Sequence, residues 1–214
     1  MSLQREVYNS LKEAIIYGEL SPGEKLSEIE LAKKMKVSRT PIREAFRQLQ
    51  MEGYISVEPN KGAFVSKLPS EEIGEIYDII SLLEGYAAQL AAQKMSTADL
   101  DKLRKLQKNL IAFASQKKFR EYIEENTEFH HFITRSTGNK TLAKTILNLR
   151  ARIYRYRLTS ITIPGYLKKY VSDHEKIVHA IAKKDSVRAR EYMEDHVHFV
   201  KDILVNFLRE NLGF

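Results

Sequence analysis

Two groups of side chains in this sequence have types and spacings that could do chemistry. The first is imidazole: six histidines all lie between residues 130 and 198, and the chain has no cysteine. Three of them sit inside apolar stripes of helical period. Phe119, Ile123, Asn126, His130 and Ile133 step by four and three, which places two polar groups in a line that faces a core. His174 lies in the stripe Leu167, Val171, His174, Ile177, Val178 and Ile181, and His196 in Tyr192, Met193, His196, Phe199, Val200 and Ile203. His131, His179 and His198 fall off these lines. A lone histidine on an apolar face needs only a hydrogen-bond partner. Asn126, His130, His174 and His196 buried apart would each need one, at about 1–3 kcal/mol per unpaired group, whereas gathering them round a cation satisfies all four. Imidazole-rich sites without thiolate suit zinc, nickel, iron or copper, and the expected cofactor is a divalent transition metal, zinc or nickel first.

The second group is guanidinium. Arg43 and Arg47 are four apart, with Arg39 just before them, and they oppose a face made of Ile42, Ala45, Phe46 and Leu49. If that apolar face docks, the arginines point outward, where they can bind guanine bidentately or phosphate in a major groove. The segment from Lys33 to Arg47 holds six basic residues against one acid, Glu44, whereas residues 1–69 as a whole hold 11 Lys and Arg against 9 Asp and Glu. A formal net charge of +7 permits a polyanionic partner, and this focusing on one segment is more specific than the total.

The elements that must position these groups divide the chain in two. Arg5 to Tyr17 has helical spacing and ends at Gly18. Ser27-Glu28-Ile29-Glu30 reads as a capping box that opens a helix to about Met35. Lys36-Val37-Ser38 makes a turn, and Thr40-Pro41 is an N-cap and first-turn pair for a third helix reaching Met51. Tyr54 to Val57 and Ala63 to Val65 then read as a hairpin with Lys61 at its tip, a wing able to reach the DNA backbone or minor groove. Beyond a junction at Lys67–Ser70 the spacing predicts six helices, over 71–94, 97–116, 118–136, 140–161, 165–184 and 186–211, joined by short connections as in an antiparallel bundle. The expected fold is mainly α: a winged helix-turn-helix over residues 1–69 followed by a six-helix bundle over 70–214. The Ala-rich stretch Ala87–Ala92 reads as close helix packing.

Composition excludes several classes. At 43% hydrophobic and 29% charged residues the chain is an ordinary globular protein. No run of about 18 apolar residues could span a membrane. The absence of Cys removes disulfides, thiolate catalysis and Cys-based zinc sites. The opening Met1-Ser2-Leu3-Gln4-Arg5-Glu6 carries an acid where a signal peptide begins its apolar stretch, so a cytoplasmic location is expected.

The head resembles the GntR family of bacterial regulators. The resemblance runs through Gly18 to Leu26, Glu30-Leu31-Ala32, Val37 to Ala45, Leu49, Glu52-Gly53-Tyr54-Ile55 and Gly62 to Val65. It implies operator contacts from Arg39, Thr40, Arg43 and Arg47, with Ser38 beside them and Lys61 and Gly62 at the wing. Ile29 stands where some relatives place a further Arg, so no contact is carried there. Residues 70–212 resemble the six-helix FCD ligand domain of the FadR branch, in its VanR-like, metal-binding form. The matching residues are Asn126, Phe129, His130, His174 and His196, and relatives hold small carboxylates at such sites. Many relatives carry an Arg one turn before Glu84, where this chain has Ile80. Arg150, Arg152 and Arg155 on the fourth bundle helix remain as sources of positive charge, and Glu84, Arg150 and Arg152 are the candidate effector residues.

The expected function is therefore a homodimeric, sequence-specific transcription regulator. It binds double-stranded operator DNA with an affinity set by a small carboxylate effector at the metal site. Ile76, Leu83, Tyr154 and Tyr156 are candidates for packing within the bundle or between subunits. The rival readings are a metal-dependent hydrolase with an accessory nucleic-acid-binding head, and an architectural DNA binder whose histidines are core residues. No carboxylate at a distinctive spacing offers the hydrolase a general base.

Overall fold

In the computed structural model the described residues run from 3 to 212, so Met1 and Ser2 of the opening and Gly213 and Phe214 lie outside them. The chain divides into two compact units, one up to Leu68 and one from Pro69 onward.

The first unit contains α1 (Leu3–Ile16), β1 (Lys25–Leu26), α2 (Glu28–Met35), α3 (Arg39–Met51), β2 (Ile55–Glu58) and β3 (Gly62–Val65). Val7, Leu11 and Ile15 of α1 and Ile42, Ala45, Phe46 and Leu49 of α3 form its core with Leu26, Ile55 and Val65. Three details differ from the expectation. Helix α3 starts at Arg39 with Ser38 as its N-cap. Thr40 and Pro41 thus fall inside the first turn, where backbone N–H groups have no intrahelical partner and Pro removes nothing needed. At α2 half of the capping box is present among the described residues: the Ser27 side chain accepts from the Glu30 N–H. The wing is a three-stranded sheet of order β1-β3-β2, because Lys25 and Leu26 pair with Phe64 and Ala63. At its tip Asn60 and Gly62 adopt positive φ of 63° and 103°; the second is a conformation that glycine takes without Cβ strain.

The second unit is the bundle: α4 (Ser70–Lys94), α5 (Thr97–Ser115), α6 (Phe119–Ser136), α7 (Lys140–Ile153), α8 (Arg157–Thr162), α9 (Leu167–Ala182) and α10 (Ser186–Leu212). The predicted fourth bundle helix, 140–161, is broken. A 3-10 turn at Tyr154–Tyr156 separates α7 from α8. Helix α4 runs along α10 and also touches α6, α7 and α9. Its buried Ala87, Ala88, Ala91 and Ala92 keep side-chain bulk out of these contacts. Gly85 makes the approach closest, since a Cβ there would lie 2.5 Å from Cγ of Glu194 on α10. Ser96 and Asp99 form a complete capping box at the start of α5. Among the described residues no helix is long and apolar enough to cross a membrane. Of the four packing candidates, Ile76 and Tyr156 are core residues, 5% and 1% exposed. Leu83 packs partly buried against Ala87, Leu142 and Ile146.

Candidate functional site

The helical stripes converge. His130 on α6, His174 on α9 and His196 on α10 are 2%, 0% and 4% exposed. Each offers one ring nitrogen, and those nitrogens lie within 4.8 Å of one another. Nε2 of His174 and Nε2 of His196 are 3.1 Å apart, a little under the roughly 3.4 Å between two tetrahedral nitrogen ligands each about 2.1 Å from zinc. Phe129, one residue before His130, stacks on His174 with ring centroids 4.5 Å apart and so fixes that ring's plane.

A hydrogen bond settles which nitrogen His130 presents. Its Nδ1 lies 2.8 Å from Oε2 of Glu84 on α4, so Nδ1 carries the proton and donates, leaving the Nε2 lone pair for the cluster. Arg150 on α7 grips the same carboxylate through Nε and Nη2. Burial would raise the Glu84 pKa, but the Arg150 guanidinium and then His130 hold it well below the usual carboxylate range. Burial pushes His130 down to about 3 against the opposing pull of Glu84, so it is neutral at pH 7 and able to ligate. Burial, and then the neighbouring imidazoles, also push His174 and His196 well below their ordinary value.

The donor set fits a transition-metal ion. Three neutral imidazoles share a buried point, and Oδ1 of Asn126, on the wall of the same cavity as His130 and His196, is buried without a hydrogen-bond partner. The Nδ1 atoms of His174 and His196 are unpaired as well. A hydrogen bond between two facing Nε2 atoms joins only one pair of rings; a cation accepts lone pairs from all three and from the amide oxygen.

The cavity beside the cluster has a volume of about 30 Å³ and is walled by Tyr77, Tyr122, Arg150, Arg157 and Tyr170, among others. The candidate effector residues separate here. Arg150 reaches the wall, but Glu84 already neutralises it. Glu84 is occupied by Arg150 and His130 and is not free to receive a ligand. Arg152 is half exposed, pairs with Glu72 at the surface and is not among the residues that wall this cavity. Sequence reasoning missed Arg157, which is 6% exposed and lines the cavity. No spacing in the sequence singles it out, because a 3-10 turn separates its helix from that of Arg150.

In the first unit the apolar side of α3 is buried and Arg39, Arg43 and Arg47 stand outside, 52%, 55% and 73% exposed. They are not free charges. Oε2 of Glu28, in the first turn of α2, accepts from Nη2 of Arg39 at 3.0 Å and from Nε of Arg43 at 2.8 Å, and Arg47 pairs with Glu44 at 2.7 Å. Exposed pairs of this kind contribute about 0–1 kcal/mol, too little to keep a guanidinium from phosphate or guanine. Arg39, Arg43, Arg47, Gln50 and Gly62 line one concave surface between α3 and the wing. Lys61 at the wing tip is 72% exposed, and its pKa is raised by Glu58 beside it. Glu28 was not recognised from the sequence as a partner of the basic stripe.

Comparison with known proteins agrees with this division. Residues 3–65 match the family described as bacterial regulatory proteins, gntR family, and residues 75–199 match the FCD domain. The chain is 28% identical over 206 residues to the HTH-type transcriptional regulator YdhC of Bacillus subtilis, covering 96% of this chain and 92% of that protein. It is 26% identical over 210 residues to the HTH-type transcriptional repressor RspR of Escherichia coli, covering 98% and 92%. Among solved structures, Escherichia coli McbR/YncC superposes with a TM-score of 0.78 at 26% identity, covering 99% of this chain and 100% of that one. With the head matched throughout and the FCD match spanning more than half of its length, the chain belongs to the GntR family: it is a DNA-binding transcription regulator with a C-terminal FCD ligand-binding domain, and not an enzyme.

Proposed function

We propose that the protein is a cytoplasmic, homodimeric repressor whose operator affinity is set by a small carboxylate effector bound at a transition-metal centre of His130, His174, His196 and Asn126. The observation that carries this reading is the convergence of three buried, neutral imidazoles from three helices on one point. A bound zinc or nickel ion would supply localised positive charge with coordination positions open to a carboxylate oxygen. The chain's own residues do the rest. Glu84 orients His130, Phe129 orients His174, and the tyrosines shape the space around the ligand. Effector and operator binding are then linked by one coupling free energy, so each changes the affinity of the other by the same factor. Repression is taken from the sense of control that RspR bears in its name.

The dimer is supported by one face of α4. Ile79, Leu82 and Tyr86, spaced by three and four, are 49%, 52% and 42% exposed, and Leu147 on α7 is 48% exposed. Apolar residues in such register on the outside of a helix mark a contact with another chain. Two heads held together read two half-sites one helical turn, or a multiple of it, apart.

Four outcomes follow. Arg43→Ala is expected to weaken operator binding by about 1–3 kcal/mol and to leave the circular dichroism spectrum and melting temperature unchanged; equal affinity in a gel-shift titration would remove α3 from the interface. Elemental analysis of protein purified without chelator is expected to give one transition metal per chain, and His174→Ala to bring it near zero; a native protein without metal contradicts the centre. In metal-free protein the buried histidines titrate far lower folded than unfolded, where the value is 6.5. Below that pH the unfolded state binds more protons, so the melting temperature is expected to fall as pH drops from 7 toward 4, and a flat profile would contradict the neutral buried state. Leu82→Glu is expected to turn the dimer into a monomer in sedimentation and to weaken operator binding; a dimer that persists would place the interface elsewhere.

A further inference from the structure

The cavity beside the histidines holds a positive charge that no carboxylate among the described residues pairs. Arg150 and Arg157 both reach its wall and both are more than nine-tenths buried. Glu84 answers Arg150 through both of its oxygens. No carboxylate answers Arg157: among the described residues Nη1 donates to Oγ1 of Thr127, the guanidinium lies over the Tyr154 ring 5.5 Å from its centroid, and Nη2 is buried with no hydrogen-bond partner. Burial, followed by repulsion from Arg150, pushes its pKa down to about 10, which leaves it charged at neutral pH. A buried guanidinium with an open donor is unfavourable unless an anion comes to it. A cation on the histidines would add to the positive charge and sharpen the same requirement.

We propose that Arg157 is the residue that anchors the effector's anionic group, with Nη2 donating to a compact oxyanion seated between α8 and the histidine cluster. This rests on the reading of the cluster as an effector site and adds to it a second, metal-independent hold on the ligand. The 3-10 turn at Tyr154–Tyr156 matters here, because α8 begins at Arg157 immediately after the break. Thr127 holds one arm of the guanidinium and is itself tied to α6, its Oγ1 donating to the Ile123 carbonyl at 2.7 Å, so the group is oriented before a ligand arrives. The cavity volume of about 30 Å³, room for about two waters, suits a compact group beside the histidines. A carboxylate and a phosphate share the chemistry that Nη2 recognises, and the test separates them.

The experiment uses the full-length, zinc-loaded protein, with acetate and inorganic phosphate titrated separately by calorimetry against wild type, Arg157→Gln, Arg157→Lys and Thr127→Val. The expected result is acetate binding in wild type, at least tenfold weaker in Arg157→Gln, restored to within a few-fold in Arg157→Lys and intermediate in Thr127→Val, with zinc content equal in all four. Tighter phosphate than acetate would keep the anchor and reassign the ligand class. After zinc removal by chelation, residual anion binding in wild type is expected to vanish in Arg157→Gln, a difference that a purely structural role for Arg157 does not produce. Acetate binding unchanged in Arg157→Gln would overturn the anchor while leaving the metal-site reading intact. Wild type that binds neither anion would overturn the effector reading itself. If Arg157→Gln fails to fold, Thr127→Val decides: acetate binding equal to wild type in that variant overturns the proposal.

Discussion

The carboxylate of Glu84 holds the interior of the bundle together electrostatically. It is 1% exposed, and it stays ionised there only because Arg150 and His130 reach it from two other helices. Three elements of the bundle, α4, α6 and α7, are thereby tied to one group. The same contact puts the proton of His130 on Nδ1 and turns the other nitrogen toward His174 and His196. Removing one member of such a buried set leaves an uncompensated charge, which typically costs about 3–5 kcal/mol. A hydrophobic replacement of the whole set would keep a stable bundle and lose the oriented imidazole. What the buried set contributes to the site is therefore orientation more than stability.

The head follows a different economy. Its core is apolar and small, and its charges stay in water, where each pair contributes little and exchanges partners easily. Ions that pair weakly on the surface suit contact with a polyanion, because guanidiniums held only by exposed pairs with Glu28 and Glu44 exchange partners at little cost. Ions buried in the bundle suit recognition of one small ligand, because there the surroundings select by shape and by charge balance.

Much of this was legible in the sequence, for reasons that differ by element. The histidine cluster could be read because three polar residues interrupt apolar stripes of helical period, and a buried polar group must find company. The outward arginines could be read because Ile42, Ala45, Phe46 and Leu49 leave one side of α3 for them. The strand at Lys25–Leu26 could not, since two residues carry no period. The break after Ile153 was hidden because Tyr154-Arg155-Tyr156 contains neither Gly nor Pro, so packing, and not local chemistry, ends the helix there. That break also confused the assignment of arginines. Residues 150, 152, 155 and 157 are alike in type, and only the folded bundle shows that Arg152 faces Glu72 outside while Arg157 faces the cavity.

Glu28 gives one oxygen to two guanidiniums. One acid on the flank of the reading helix thus sets the resting attitude of both Arg39 and Arg43, although it belongs to neither the helix nor the wing. It lowers the net positive charge that this end of α3 presents to solvent. A change at this one codon would release two guanidiniums at once, so the exposed charge of α3 could be altered without substituting any arginine on it.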